Sequence, residues 1–99
     1  MKTYRKFIAE ISKDMPIKKL KVKRNGPGMY SFEFKKGKSH FEGSYYKAES
    51  GNYWSSTIEH GKYGDKDYEY ESLQGYTMKE VKKYILNTLN NWYKMYNNQ

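Results

Sequence analysis

Two histidine–carboxylate pairs are the first candidates for chemistry in this 99-residue chain. In His40-Phe41-Glu42 the imidazole and the carboxylate share one face of a predicted strand, where they could bind a metal or share a proton, and Glu59-His60 supplies a second imidazole. The chain has no cysteine, whereas zinc deaminases with a His-x-Glu motif also need cysteine ligands. We therefore expect both histidines to be solvated, and we predict no metal and no other cofactor.

Alternating acids in Asp65-Lys66-Asp67-Tyr68-Glu69 are similar to the start of a calcium-binding loop. The positions that would need Gly and Glu are occupied by Tyr70 and Tyr76, so the motif is rejected. The alternation instead predicts the acidic outer face of a strand, which could lie opposite the lysines of the first strand. The sequence also has no phosphate-binding loop and no nucleophile motif, and we expect a protein that is not an enzyme.

Basic and aromatic residues give the most informative pattern. Of the formal charge of +8, residues 1–47 carry +9, residues 48–77 carry −4 and residues 78–99 carry +3. Cations beside exposed rings on a sheet suit a phosphate backbone with stacked bases. The predicted phosphate contacts are Lys19, Lys21, Lys23, Arg24, Lys35, Lys36 and Lys38, and the predicted stacking residues are Tyr46 and Tyr53. Alternatively, AT-rich coding supplies the lysines, and those on an edge strand only prevent aggregation.

The elements that must position these residues follow from hydrophobic periodicity. Apolar residues at three- and four-residue steps predict a helix over 4–15, which Pro16 ends. Alternating patterns predict five strands, over 17–24, 30–35, 39–47, 53–59 and 67–73. Thr77 and Glu80 form a capping box at the start of a second helix, over about 78–96.

These elements predict an α+β fold in which residues 1–99 form a single domain. The order is α-β-β-β-β-β-α, with an antiparallel meander sheet and both helices packed on one face. Trp54 and Trp92 should both be buried. Leu86 and Tyr93 widen the apolar stripe of the last helix, so either the first helix covers them or they form a homodimer interface.

Composition also bears on origin and partners. No apolar run approaches the roughly 20 residues of a membrane span, and the N-terminus lacks a signal peptide, so we expect a soluble, cytoplasmic protein without a membrane partner. The sequence favours a non-enzymatic, phage- or mobile-element-type protein that engages nucleic acid, or a nucleic-acid-processing complex, through a basic β-hairpin and a polar sheet face. The alternative is a phage-encoded inhibitor of a host defence nuclease, of the anti-CRISPR or anti-restriction type, that acts by protein–protein contact.

Overall fold

A computed structural model describes residues 15–49 and 51–97. The described chain forms one sheet and one helix. In chain order the elements are β1 (Lys23–Gly26), β2 (Met29–Lys36), β3 (Ser39–Lys47), β4 (Trp54–His60), β5 (Glu69–Gly75) and α1 (Met78–Asn97). The predicted helix over 4–15 lies outside the described residues, except for its last position, Met15, which is not helical.

The five strands form an antiparallel meander in the order β1-β2-β3-β4-β5, as the sequence predicts. The β2–β3 ladder pairs all eight residues of β2 without interruption, and the β3–β4 and β4–β5 ladders each contain seven consecutive pairs. The turn between β2 and β3 contains Gly37 at a φ of 59°, a conformation that glycine adopts without the steric cost of a Cβ. Short turns of this kind place each strand beside its neighbour in sequence.

The core lies between one face of the sheet and α1. Rings and aliphatic side chains from β2, β3 and β4 meet the apolar stripe of the helix, and the fully or nearly buried members are Ile17, Phe32, Phe41, Tyr45, Ile58, Val81, Ile85, Leu89 and Trp92. At the centre, a Cβ on Gly43 would stand 2.7 Å from the Phe32 ring and 2.8 Å from Ile58. Glycine is therefore required there for the aromatic side chains to close over the sheet.

The first strand is shorter than predicted, because the chain before it leaves the sheet for the helix. The backbone N–H of Ile17 donates to Oδ1 of Asn90 (2.9 Å), and Nδ2 of Asn90 donates to the Ile17 carbonyl (2.8 Å). Asn90 is itself buried, on the helix face that packs on the core. This pair of bonds satisfies the Ile17 backbone as a strand neighbour would, so ladder pairing begins only at Lys23.

The start of α1 matches the predicted capping box with one difference. The Glu80 N–H donates to Oγ1 of Thr77 (3.1 Å), while the Glu80 carboxylate accepts from the N–H of Tyr76 (3.0 Å), one residue before the cap. Trp92 is buried as predicted, but Trp54 is only half-buried, because β4 begins there and the residue lies at the end of the sheet. No helix in the described residues has the length and hydropathy that a bilayer span needs.

Candidate functional site

A cleft of about 490 Å³ opens at the end of the sheet where β2 meets β3 and β4 leads to β5. One wall is the β2–β3 turn, the opposite wall is the loop over 61–67, and Tyr96 near the end of α1 lies between them. A cleft of this volume is in the range that small molecules and parts of larger ligands occupy.

Four lysines line this cleft: Lys35 and Lys38 on one wall, and Lys62 and Lys66 on the other. Among the described residues, a salt-bridge distance of 4.0 Å or less occurs only between His40 and Glu33, at 3.5 Å. None of the four ammonium groups is therefore neutralised by a described carboxylate. The cleft, which holds two aspartates as well, is net positive.

The two aspartates serve the loop that forms one wall. Oδ2 of Asp65 accepts the backbone N–H of Lys62 (2.9 Å), and the Lys62 carbonyl accepts the Asp65 N–H (2.9 Å). The Asp67 carbonyl accepts from Nδ1 of the buried His60 (2.8 Å). These bonds shape the loop and hold it against the sheet, so the lysines project from a defined wall.

A chain of hydrogen bonds, of which the bond between His60 and Ser39 is buried, joins the two walls beneath the cleft. The N–H of Lys38 donates to Oδ1 of Asn97 (2.6 Å), and Nδ2 of Asn97 donates to Oγ of Ser39 (2.7 Å). Ser39 Oγ lies 2.8 Å from Nε2 of His60. Since a carbonyl only accepts, Nδ1 of His60 carries a proton toward Asp67, and in the neutral ring Nε2 accepts from Ser39.

The expectation that both histidines are solvated is wrong for His60 and holds only in part for His40, whose side chain is 21% exposed. His60 is 3% exposed because β4 runs one position further than predicted, which turns its ring inward onto Tyr96, with a centroid distance of 4.4 Å. Its bond to Ser39 has the form of a base–nucleophile pair, but Ser39 is 2% exposed and already accepts from Asn97. This geometry favours a structural role. Within the described residues, no group of three or more His, Asp or Glu could hold a metal ion.

Tyr96 connects this end of the helix to β5. Its Oη donates to Oε1 of Glu69 (2.5 Å). This hydrogen bond, with partial burial and the nearby carboxylates of Glu69 and Asp67, raises the pKa of Tyr96 to about 12. The phenol therefore stays neutral, and remains a donor to Glu69, up to a higher pH than an ordinary tyrosine does.

The predicted basic residues do not form one cluster. Lys35 and Lys38 line the cleft, whereas Nζ of Lys36 lies 5.9 Å from the centroid of the Tyr93 ring, on the helix side. Arg24 pairs with Tyr30, five residues along β2 from Lys35, roughly 17 Å for an extended strand. Lys23 lies one residue before Arg24, while Lys19 and Lys21 precede β1. The set predicted from the sequence omits Lys62 and Lys66. The sequence feature that could have indicated them is a loop that carries two lysines beside a tyrosine.

The outer face of the sheet is polar as predicted, but it carries a row of carboxylates. Glu33 pairs with Glu42 across β2 and β3, and Glu42 pairs with Glu59 across β3 and β4. The row also affects a neighbouring tyrosine: partial burial and the Glu59 carboxylate together raise the pKa of the Tyr68 phenol above its usual value. Like charges directly opposite each other on a sheet are unfavourable. Three in a row therefore make the centre of this face a poor place for phosphate.

The predicted acidic outer face of the fifth strand is also corrected. Glu69 and Glu71 alternate onto the helix side, where Glu69 meets Tyr96, and Tyr70 lies on the outer face. Moreover, β1 and β5 are at opposite edges of the sheet, so these acids cannot pair with the lysines of the first strand within one chain.

The two predicted stacking tyrosines lie away from the cleft, and Tyr53 is half-buried. Tyr46 is 44% exposed at the far end of β3, where it pairs with Met29, and Tyr53 precedes β4 with its carbonyl bonded to the Ala48 N–H (3.1 Å). Tyr63 is 90% exposed in the loop that carries Lys62 and Lys66. Of these rings, only Tyr63 stands beside the lysine-lined cleft.

Comparison of the chain with protein-family models, with curated proteins and with solved structures finds no match.

Proposed function

We propose that this is a non-enzymatic binding protein, of phage or mobile-element type and cytoplasmic, which engages nucleic acid or a nucleic-acid-processing complex through phosphate contacts at the end cleft. The observation that carries the proposal is the set of four lysines on two opposed walls with no described carboxylate partner. Unpaired ammonium groups around a concavity attract a polyanion, and counterion release then adds to the affinity.

The position of Tyr63 supports nucleic acid over a simple anion. Its ring is 90% exposed between two cleft lysines in sequence, and it contacts Tyr68 edge-to-face at a centroid distance of 5.6 Å. Exposed rings beside a basic groove let bases stack while the lysines hold the backbone. Tyr63 therefore joins Tyr46 and Tyr53 as a candidate stacking residue. Lys19, Lys21, Lys23, Arg24 and Lys36 remain proposed contacts outside the cleft.

The proposal is tested by the salt dependence of binding to labelled single- and double-stranded DNA and RNA of about 20 units, which exceeds the usual site of roughly 4–16 nucleotides. Each phosphate contact adds about −0.7 to −0.9 to the log–log slope. Two double variants, Lys35→Gln/Lys38→Gln and Lys62→Gln/Lys66→Gln, should each flatten the slope by about 1 to 2.

Two further double variants make the same change of charge elsewhere. Lys79→Gln/Lys83→Gln alters exposed lysines of α1 and should leave the slope unchanged, whereas Lys21→Gln/Lys23→Gln tests the predicted contacts near β1. Tyr63→Ala should weaken binding by roughly 1–3 kcal/mol without changing the slope, because stacking is not ionic. Equal effects of all four double variants, or no binding by about 0.1 M salt, would show that the cleft is not a phosphate site.

The carboxylate row of Glu33, Glu42 and Glu59 favours a second candidate function. A line of negative groups at strand spacing could contact the basic nucleic-acid groove of a host defence nuclease, so the protein would inhibit it by protein–protein contact. This candidate predicts negligible binding to naked nucleic acid near physiological salt but inhibition of a nuclease in a panel of CRISPR and restriction enzymes. Glu42→Gln/Glu59→Gln should then relieve inhibition, while the cleft variants should not.

A further inference from the structure

The outermost strand on the C-terminal side, β5, has a free edge in the described part of the molecule. It pairs with β4 over seven consecutive residues, and it is last in the strand order. In such a strand, alternate residues direct their N–H and C=O groups away from the sheet. Those groups form a template on which another extended chain can pair.

This edge lacks several of the usual protections against pairing. Proteins commonly guard an edge with proline, a bulge, a very short strand or charged side chains, above all lysine, and β5 has only two glutamates, which would attract a basic chain. The β5 sequence, Glu-Tyr-Glu-Ser-Leu-Gln-Gly, has no lysine and no proline, and its register with β4 is unbroken. Its central residues are exposed, and Tyr70 retains 52% of its surface. A seven-residue, regular and accessible edge is therefore available to a partner.

The charge of the edge indicates what kind of chain would pair there. Glu69 and Glu71 share the helix side of the strand, Asp67 precedes them, and β5 itself has no basic residue. We propose that the β5 edge adds an extended segment rich in lysine or arginine, from a protein partner, as a sixth strand of the sheet. Basic residues at every second position would lie beside Glu71 and beside Glu69, which also accepts the Tyr96 hydroxyl, and the intervening positions would lie beside Tyr70 and Ser72.

A second copy of the chain is a poorer occupant. An antiparallel β5–β5 pair centred on Ser72 places the two Glu71 residues diagonally across from each other, where like charges repel. A head-to-tail pair would use β1, which has four residues and a register shift between Arg24 and Gly26. Neither arrangement offers the continuous, oppositely charged strand that the β5 edge fits. This inference is independent of the cleft and of its proposed ligand.

The test uses a fluorescein-labelled, end-blocked peptide in which Lys and Thr alternate. It has about eight residues, somewhat more than a typical strand of ~5–6, so that it can span the whole of β5. Two control peptides replace Lys with Glu, or carry N-methyl groups on alternate residues and so lose the donors of one edge. Affinity is measured by anisotropy, and the site by amide chemical shifts and hydrogen exchange. We expect only the Lys-Thr peptide to bind, with new protection confined to alternate amides of 69–75.

The variant Glu71→Lys should lower the affinity for the Lys-Thr peptide roughly three- to tenfold, since a cross-strand attraction becomes a repulsion of similar size. Glu49→Lys is the matched control, because Glu49 is exposed in the β3–β4 loop, and it should leave the affinity unchanged. Three outcomes overturn the proposal: equal binding of the N-methylated peptide, protection of the outward β5 amides in the free protein, or dimerisation through β5 in sedimentation experiments. Absence of binding to the Lys-Thr peptide overturns it as well.

Discussion

The two edge strands of the sheet, β1 and β5, hold equivalent places in the meander but differ in charge and in regularity. β1 has four residues, begins Lys-Arg, shifts register between Arg24 and Gly26, and is followed by Pro27. β5 has seven residues, two glutamates and an unbroken register. The first edge therefore has several features that prevent strand pairing, whereas the second lacks the lysine, the proline and the register shift and has only its two glutamates.

Each side is also fastened to α1 by a different kind of bond. On the β1 side, the amide of Asn90 binds both backbone groups of Ile17, a neutral and buried arrangement. On the β5 side, Tyr96 donates to the Glu69 carboxylate, and its ring stacks on that of His60 at a centroid distance of 4.4 Å. Although the formal charge of the chain is +8, its β1 edge is basic and its β5 edge is acidic. The two sides suit partners of opposite charge.

The largest effect is expected from breaking the β1 side. Asn90→Ala should lower the free energy of unfolding by roughly 2–4 kcal/mol, because the buried N–H and C=O of Ile17 both lose their partner at about 1–2 kcal/mol each. Urea unfolding followed by tryptophan fluorescence measures the change.

The matched control for this change is Asn91→Ala. Asn91 is the next residue of α1 and is exposed, so its replacement should change stability by no more than about 0.5 kcal/mol. If the two variants were equally stable, the segment before β1 would not depend on the helix, and the contrast between the two fastenings would be lost.

Asn90 also shows where sequence-based prediction of the fold reached its limit. Four strands and the C-terminal helix were predicted to within about two residues, because period-two and period-3.6 patterns are local properties of the chain. The pattern Leu20-Lys21-Val22-Lys23 has the same local form as a strand. The departure of residues 17–22 from the sheet depends on a hydrogen bond between Ile17 and a residue 73 positions away, which no local pattern encodes.

A smaller effect is expected at the β5 side from His60→Phe. The substitution keeps an aromatic ring against Tyr96 but removes both ring nitrogens, so the Asp67 carbonyl and Ser39 lose a partner. Stability should fall by roughly 1–3 kcal/mol. His40→Phe makes the same chemical change at a ring whose one described polar contact is Glu33, so it should alter stability by about 1 kcal/mol or less. Thermal unfolding of both variants compares them, and equal melting temperatures would refute the role given to His60.

The candidate site was predictable only in part. Lys35 and Lys38 could be identified because they flank a glycine turn in a basic stretch of sequence. Lys62 and Lys66 lie in the stretch of net negative charge, and they reach the cleft only because the meander places the β4–β5 loop at the same end as the β2–β3 turn. The carboxylate row depends on the register of three strands, so single-strand alternation could not show that the glutamates are adjacent.

The smallest effect is expected from removing the Tyr96–Glu69 hydrogen bond on the β5 side. Because this bond involves a phenol and a carboxylate, it should depend on pH, unlike the amide bonds of Asn90 on the β1 side. Tyr96→Phe should cost about 1 kcal/mol near neutral pH, for one hydrogen bond at a partly buried site.

The pKa of Tyr96 is about 12 in the folded protein, against 10.0 for an unperturbed tyrosine. Above pH 10 the unfolded chain loses this proton before the folded chain does, so the contribution of Tyr96 is complete below pH 10 and is lost as the pH rises toward 12. Unfolding in urea at several pH values from 8 to about 11 should therefore show wild type losing its advantage over Tyr96→Phe, whereas the advantage over Asn90→Ala should persist. A constant difference between wild type and Tyr96→Phe across this range would mean that the phenol–carboxylate bond does not fasten β5 to the helix.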